Sequence, residues 1–284
     1  MWVAHCFYDM KTYGNLYNKL CSYENLLLAF KKARKGKTKK LYVRRFEENL
    51  KENLLELQKR LLSKSYRPAL LKKIIVRDPK TRKIYKSVFI DRIVHHAIVN
   101  ILEPIFELIF IWDSYASRKG KGHHKAIKRF DYTEQKSKPL PLGSGQSQAT
   151  DFLALSHKVL NKPILLSVGK TQILYDFKRK VSKNGRKLKG IKDNNYICGY
   201  VLKADIKHYF DEVNHKVLLE IIREKVKDEE VMWLIRQVLE NYRGGKQGCG
   251  MPLGNYTSQF FANVYLNELD YFVKHFFRAK YYTR

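Results

Sequence analysis

An apolar, β-prone run, Val201-Leu-Lys-Ala, ends on the single carboxylate of Asp205. Downstream, the glycine-rich stretch from Gly248 through Met251, Pro252 and Gly254 to Ser258 opens directly into a helical pattern. A short buried strand that delivers a carboxylate at its C-terminal end can hold a cation at the floor of a cleft. Taken by itself, an Asp at a strand end is more often a turn or cap residue. The two stretches together put a strand and a helix side by side in the same part of the chain.

The remaining pattern alternates in the same way. Ser22 is placed to cap a helix whose apolar face is Leu26, Leu27, Phe30 and Ala33, closing near Gly36. A second stripe, Phe46, Leu50, Leu54, Leu57 and Leu61, predicts one further helix. Leu70 to Val76 and Ile84 to Phe89 are β-rich runs flanking Asp78-Pro-Lys-Thr, a hairpin with basic residues near its tip. A third helix is predicted from about Asp91, with Pro104 kinking or ending it. Apolar faces at Val217, Leu218, Ile221 and Ile222, and from Val231 to Leu239 with Trp233 buried, predict two more.

With these elements in view, the chain resembles reverse transcriptases. Asp205 falls at the family's first palm carboxylate, and Leu253-Gly254-x-x-x-Ser258-Gln259 matches its nucleotide-facing loop. The likeness extends upstream through Asp78 to Ile84, Phe89 to Ala97, Glu103 to Phe106, and Asp113-Ser-Tyr115-Ala-Ser-Arg118-Lys-Gly120-Lys-Gly122-His, all in family order. Within the family, an aliphatic residue before the glycine and Gln259 after Ser258 look like diversity-generating retroelements. Enzymes of group II introns, retrons and retroviruses usually show Gln-Gly-x-x-x-Ser-Pro.

The resemblance implies an α+β right-hand polymerase with fingers and a partial palm, thumb absent. Residues 1–68 form an N-terminal helical extension, 69–130 fingers, 131–177 an insertion without assigned role, and 178–284 the rest of the fingers and partial palm. The breaker-rich Lys136 to Gln148 marks that insertion as a long loop.

It also implies phosphoryl transfer, in which a primer 3′-hydroxyl attacks the α-phosphate of a deoxynucleoside triphosphate and pyrophosphate leaves. Two Mg2+ ions serve that chemistry, held by Asp205 and the carbonyl of Ile206, because Mg2+ takes hard oxygen donors. Phe210 matches the ring that excludes a 2′-hydroxyl, with core packing beside Tyr209 as the other reading. Arg77 and Arg82 match the cations that grip the triphosphate; a solvated hairpin tip is the alternative. Gly254 would let the loop pass under the base pair, with Ser258 and Gln259 opening the helix behind it. Leu253, in place of glutamine, removes a polar contact to the nascent pair and implies error-prone synthesis.

Arg118, Lys119, Lys121 and His123 lie among glycines and suit a template-strand clamp. Asp91 suits an N-cap and Arg92 an ion pair, as readily as a template contact. His95 and His96 face different sides of a helix and read as packed side chains.

Composition agrees with a polyanion partner. There are 56 Lys and Arg against 27 Asp and Glu, a formal net charge of +29, which drives nucleic-acid binding through counterion release. Clusters lie at Lys31 to Lys40, Arg118 to Lys128 and Lys178 to Lys192, and 13% aromatic content adds stacking surface. The partners implied are an RNA template, a DNA primer, deoxynucleoside triphosphates and a basic accessory protein, with no membrane. Cys6, Cys21, Cys198 and Cys249 have no disulfide or metal-ligand spacing. Together with the absence of a secretory pattern, this points to a cytoplasmic protein.

The family's Tyr-x-Asp-Asp motif should follow almost immediately after Tyr281-Tyr282-Thr283-Arg284, and no Asp-Asp pair occurs in the chain. The expectation is a truncated member that does not polymerise DNA alone. Two other readings stand beside it: a group II intron or retron-type reverse transcriptase, and a non-catalytic RNA-binding relic.

Overall fold

The computed structural model describes residues 11–77, 81–136, 172–173, 202–203 and 206–284. The chain divides into two compact units, one of residues 6–111 and 209–268, the other of residues 1–5, 112–208 and 269–284. Among the described residues, helices predominate over two small antiparallel sheets.

The first unit begins with α1 (Tyr17–Cys21) and α2 (Tyr23–Arg34), separated only by Ser22. Ser22 is extended, and its hydroxyl accepts from the Asn25 N–H, which gives α2 its own start. Leu26, Ala29, Phe30 and Ala33 form the buried stripe of α2, while Leu27 is only half-buried. The second predicted stripe is two helices, α3 (Leu41–Glu48) and α4 (Leu50–Leu62). They part at Asn49, whose backbone (φ −124°, ψ 51°) is not helical. The break lets Phe46 turn onto Phe30 and Phe89, with centroids 5.8 and 5.4 Å away, while Leu54, Leu57 and Leu61 bury separately.

Strands β1 (Lys72–Val76) and β2 (Arg82–Lys86) pair antiparallel, Lys72 opposite Lys86 and Val76 opposite Arg82. All five residues of β1 are exposed. The predicted hairpin tip, Asp78 to Lys80, lies outside the described residues.

Helix α5 (Phe89–Glu107) is the spine against which α1 and α2 pack. It runs past Pro104, because Ile105 and Phe106 bury in the core beyond it. Asp91 is not its cap: Val88 holds that position. Asp91 instead lies buried in the first turn, accepting from the Tyr66 hydroxyl at 2.7 Å and the Ala69 N–H at 3.0 Å. Burial raises its carboxyl above the usual carboxylate range.

After α7 (Tyr209–Glu212) come α8 (His215–Lys225), capped by the Asn214 side chain, and α9 (Glu229–Glu240), capped by Asp228. One Asp228 oxygen accepts from the N–H groups of Glu230 and Val231, and the other from those of Leu16 and Tyr17, at 2.7 and 2.9 Å. One buried carboxylate thus caps α9 and fixes the entry to α1. Trp233 is half-buried rather than buried, with the Arg67 guanidinium 6.0 Å from its ring. A long helix, α10 (Tyr256–Tyr271), runs on into a π-helical turn, Phe272–Phe276.

In the other unit, α6 (His123–Lys136) follows the basic loop, and β3 (Gln172–Ile173) pairs antiparallel with β4 (Leu202–Lys203). Asp270 is fully buried, bound by the Tyr282 hydroxyl at 2.7 Å and by Arg284 at 2.6 Å. The Arg284 backbone exchanges hydrogen bonds with Asp113 and Tyr115. No helix of the described residues is long and apolar enough to cross a membrane.

Candidate functional site

Loop 248–255 of the first unit is threaded between α7 and β2 by backbone hydrogen bonds. Met251 N–H donates to the Phe210 carbonyl at 2.6 Å, and Gly250 N–H to the Val213 carbonyl at 2.8 Å. On its other side, Tyr85 N–H donates to the Leu253 carbonyl at 3.0 Å, and the Ser87 hydroxyl to the Asn255 side-chain oxygen at 2.8 Å. Between these two contacts Gly254 has φ +106°, and a Cβ there would sit 2.7 Å from Ile84 Cγ2. Both its conformation and its contact with the hairpin therefore require glycine.

This arrangement brings together the hairpin carrying Arg82 and the loop carrying Leu253 and Gly254, with Ser258 and Gln259 in the first turn of α10 behind it. Arg77 and Arg82 are both exposed. Leu253 is 37% exposed and Gln259 is exposed, whereas Ser258 is buried. Phe210 is half-buried, its ring edge-on to Tyr209 at 5.4 Å, and its carbonyl is the anchor for Met251. The start of α10 is held to α5 by Thr257, 3.3 Å from His95 Nδ1, and by Tyr256, whose ring lies 4.4 Å from that of His96. Burial keeps His95 neutral, its pKa lowered to about 3. Burial and then the nearby Lys32, Lys37 and Arg92 lower that of His96 to about 4. Arg92 donates through Nε to the Ser87 carbonyl, bracing the turn that carries Asn255's partner.

Three residues here carried no sequence signal. The Tyr242 hydroxyl donates to Asp211 Oδ1 at 3.0 Å, and the Tyr85 ring packs edge-on to Tyr242 at 5.0 Å. Burial and the Asp211 carboxylate raise the Tyr242 pKa. No spacing links positions 85, 211 and 242; only the loop's path brings them together.

The basic loop belongs to the second unit. Its turn is closed by Lys121 N–H to the Arg118 carbonyl and Gly122 N–H to the Tyr115 carbonyl, with Gly120 at φ +72° and Gly122 at φ +109°. Arg118 donates to the Ser114 carbonyl, and Lys121 to the Trp112 carbonyl at 2.7 Å. Lys119 and His123 are exposed, the latter with its ring 3.9 Å from that of His124.

Asp205 lies outside the described residues, as do most of the 131–177 insertion and the Lys178 to Lys192 cluster. Ile206 is half-buried. Among the described residues no group of three or more His, Cys, Asp or Glu side chains could hold a metal ion.

No family model matches the chain. It is 37% identical over 91 residues to the group II intron-encoded protein LtrA of Lactococcus lactis subsp. cremoris, a stretch covering 30% of this chain and 15% of that protein. It is 34% identical over 93 residues to an uncharacterized 91 kDa protein in the cob intron of Schizosaccharomyces pombe, covering 31% and 11%. Its likeness to protein YkfC of Escherichia coli K12 is weaker but longer, 24% over 226 residues, covering 76% of this chain and 44% of that one. The matched stretch spans less than half the length of each of these relatives, and over its 91 residues the chain is similar to a group II intron-encoded protein.

Proposed function

We propose that the chain is part of an RNA-directed DNA polymerase, a reverse transcriptase with the α+β fingers and partial palm of a right-hand polymerase. The sequence likeness to the group II intron-encoded protein LtrA carries this reading. The hairpin joined to the Gly254 loop supports it, since that join presents Arg82 and Leu253 on one exposed assembly.

In this reading Arg77 and Arg82 bind the triphosphate of an incoming deoxynucleotide through their forked donors. Phe210 sets sugar selectivity, and Leu253 and Gln259 border the nascent base pair. Arg118, Lys119, Lys121 and His123 hold the RNA template by its phosphates, with Arg92 bracing the hairpin's exit. Asp205 and the Ile206 carbonyl are the groups toward Mg2+, whose chemistry is to lower the primer hydroxyl's pKa and neutralise the leaving oxygens. A cytoplasmic setting, a DNA primer and a basic accessory protein belong to the same reading.

Leu253 and Gln259 favour an error-prone retroelement enzyme, whereas the intron-encoded relatives favour a group II type. The test is Mg2+-dependent extension of a DNA primer on an RNA template by the protein. Incorporation that is abolished by Asp205→Asn is the expected result, and Phe210→Ala should admit ribonucleotides. RNA binding without incorporation would favour the non-catalytic relic instead.

A further inference from the structure

Trp112 is 74% exposed, an unusual position for an indole. It is nevertheless held in place: Lys121 Nζ lies 3.6 Å from the ring centroid and also donates to the Trp112 carbonyl at 2.7 Å. The same lysine lies 5.1 Å from the Tyr115 ring. A cation on one face fixes the ring's rotamer while most of its surface stays in water, so ordering it on binding costs little entropy.

The surroundings are strongly cationic. Between Trp112 and Phe130 the only acid is Asp113, which is buried and bound by Arg129 at 2.8 Å. Lys119 and Lys125 are exposed, and a Cβ at Gly120 or Gly122 would meet nothing within 4 Å, so the backbone there is open to a close approach. A flat aromatic surface within a cationic rim is the combination that binds unpaired nucleotides, by base stacking and phosphate attraction together. A duplex, whose bases are already stacked, gains only the second term.

We infer that Trp112, steadied by Lys121, is a stacking platform for one unpaired base of single-stranded RNA, with Lys119 and Lys125 taking the flanking phosphates. The proposal deepens the template-clamp reading and rests on it; its consequence is a preference for template that is not yet paired.

The full chain with Trp2→Phe and Trp233→Phe leaves Trp112 as the sole indole reporter. Short oligouridylate should quench its fluorescence to saturation, and an RNA duplex of equal length should not. Trp112→Ala should weaken oligouridylate binding about tenfold, with duplex binding and the urea midpoint unchanged and Trp112→Phe intermediate. Lys119→Ala with Lys125→Ala should weaken both ligands and flatten the salt dependence. Unchanged oligouridylate affinity in Trp112→Ala, or equal quenching by duplex, overturns the platform. Unchanged binding of both ligands in the lysine variant overturns the phosphate clamp and leaves the stacking to be judged by Trp112→Ala alone.

Discussion

At Gly254 two demands coincide, a left-handed backbone and the approach of Ile84. Gly254→Ala adds a methyl group 2.7 Å from Ile84 Cγ2 at φ +106°, and the backbone strain alone costs about 1–3 kcal/mol. The measurable outcome is a lower urea midpoint, with the Tyr85–Leu253 hydrogen bond loosened in amide exchange. Undiminished stability would mean that the hairpin does not press on this loop. Gly254 was singled out in the sequence as part of a nucleotide-facing motif. That its missing side chain admits Ile84 was not legible, because residues so far apart in sequence share no local pattern. The same holds for Asp91, which its position suggested as a cap and which instead holds Tyr66 and Ala69.

Helix α5 shows what an element inherits from its environment. Its apolar stripe announced a helix from Asp91 onward, yet its length past Pro104 and the neutrality of His95 come from burial. Below pH 6.5 the unfolded chain protonates both histidines, whereas folded His95 and His96 resist until about pH 3 and 4. The unfolded state then binds more protons, so stability must fall as pH drops through that window. For fully buried His95 the slope approaches about 1.4 kcal/mol per pH unit. Urea midpoints at pH 7 and pH 5 measure it, and His95→Gln should flatten the difference at some cost in stability at pH 7. The split of one predicted helix into α3 and α4 has a similar origin: Asn49 leaves the helical region so that Phe46 can reach Phe89.

For the whole molecule the governing number is the formal charge of +29. Affinity for RNA should fall linearly with salt on logarithmic axes, by about 10³–10⁵ between 50 and 200 mM if roughly 6–10 phosphates are contacted. A shallow dependence, measured by filter binding across that range, would remove nucleic acid as the principal partner.

Residue types and their periods determined the helix capped by Ser22, the helix over Val231 to Leu239, the β1–β2 pairing and the basic character, because these follow from local propensity, side-chain hydrogen bonding and net charge. Only tertiary structure decided that β2 is bonded to the Gly254 loop, that Tyr242 meets Asp211, and that Trp112 stands in water under a lysine. The first two depend on which distant segments share space, and the third on how the turn from Trp112 to Lys121 folds back on itself; neither follows from residue type or period.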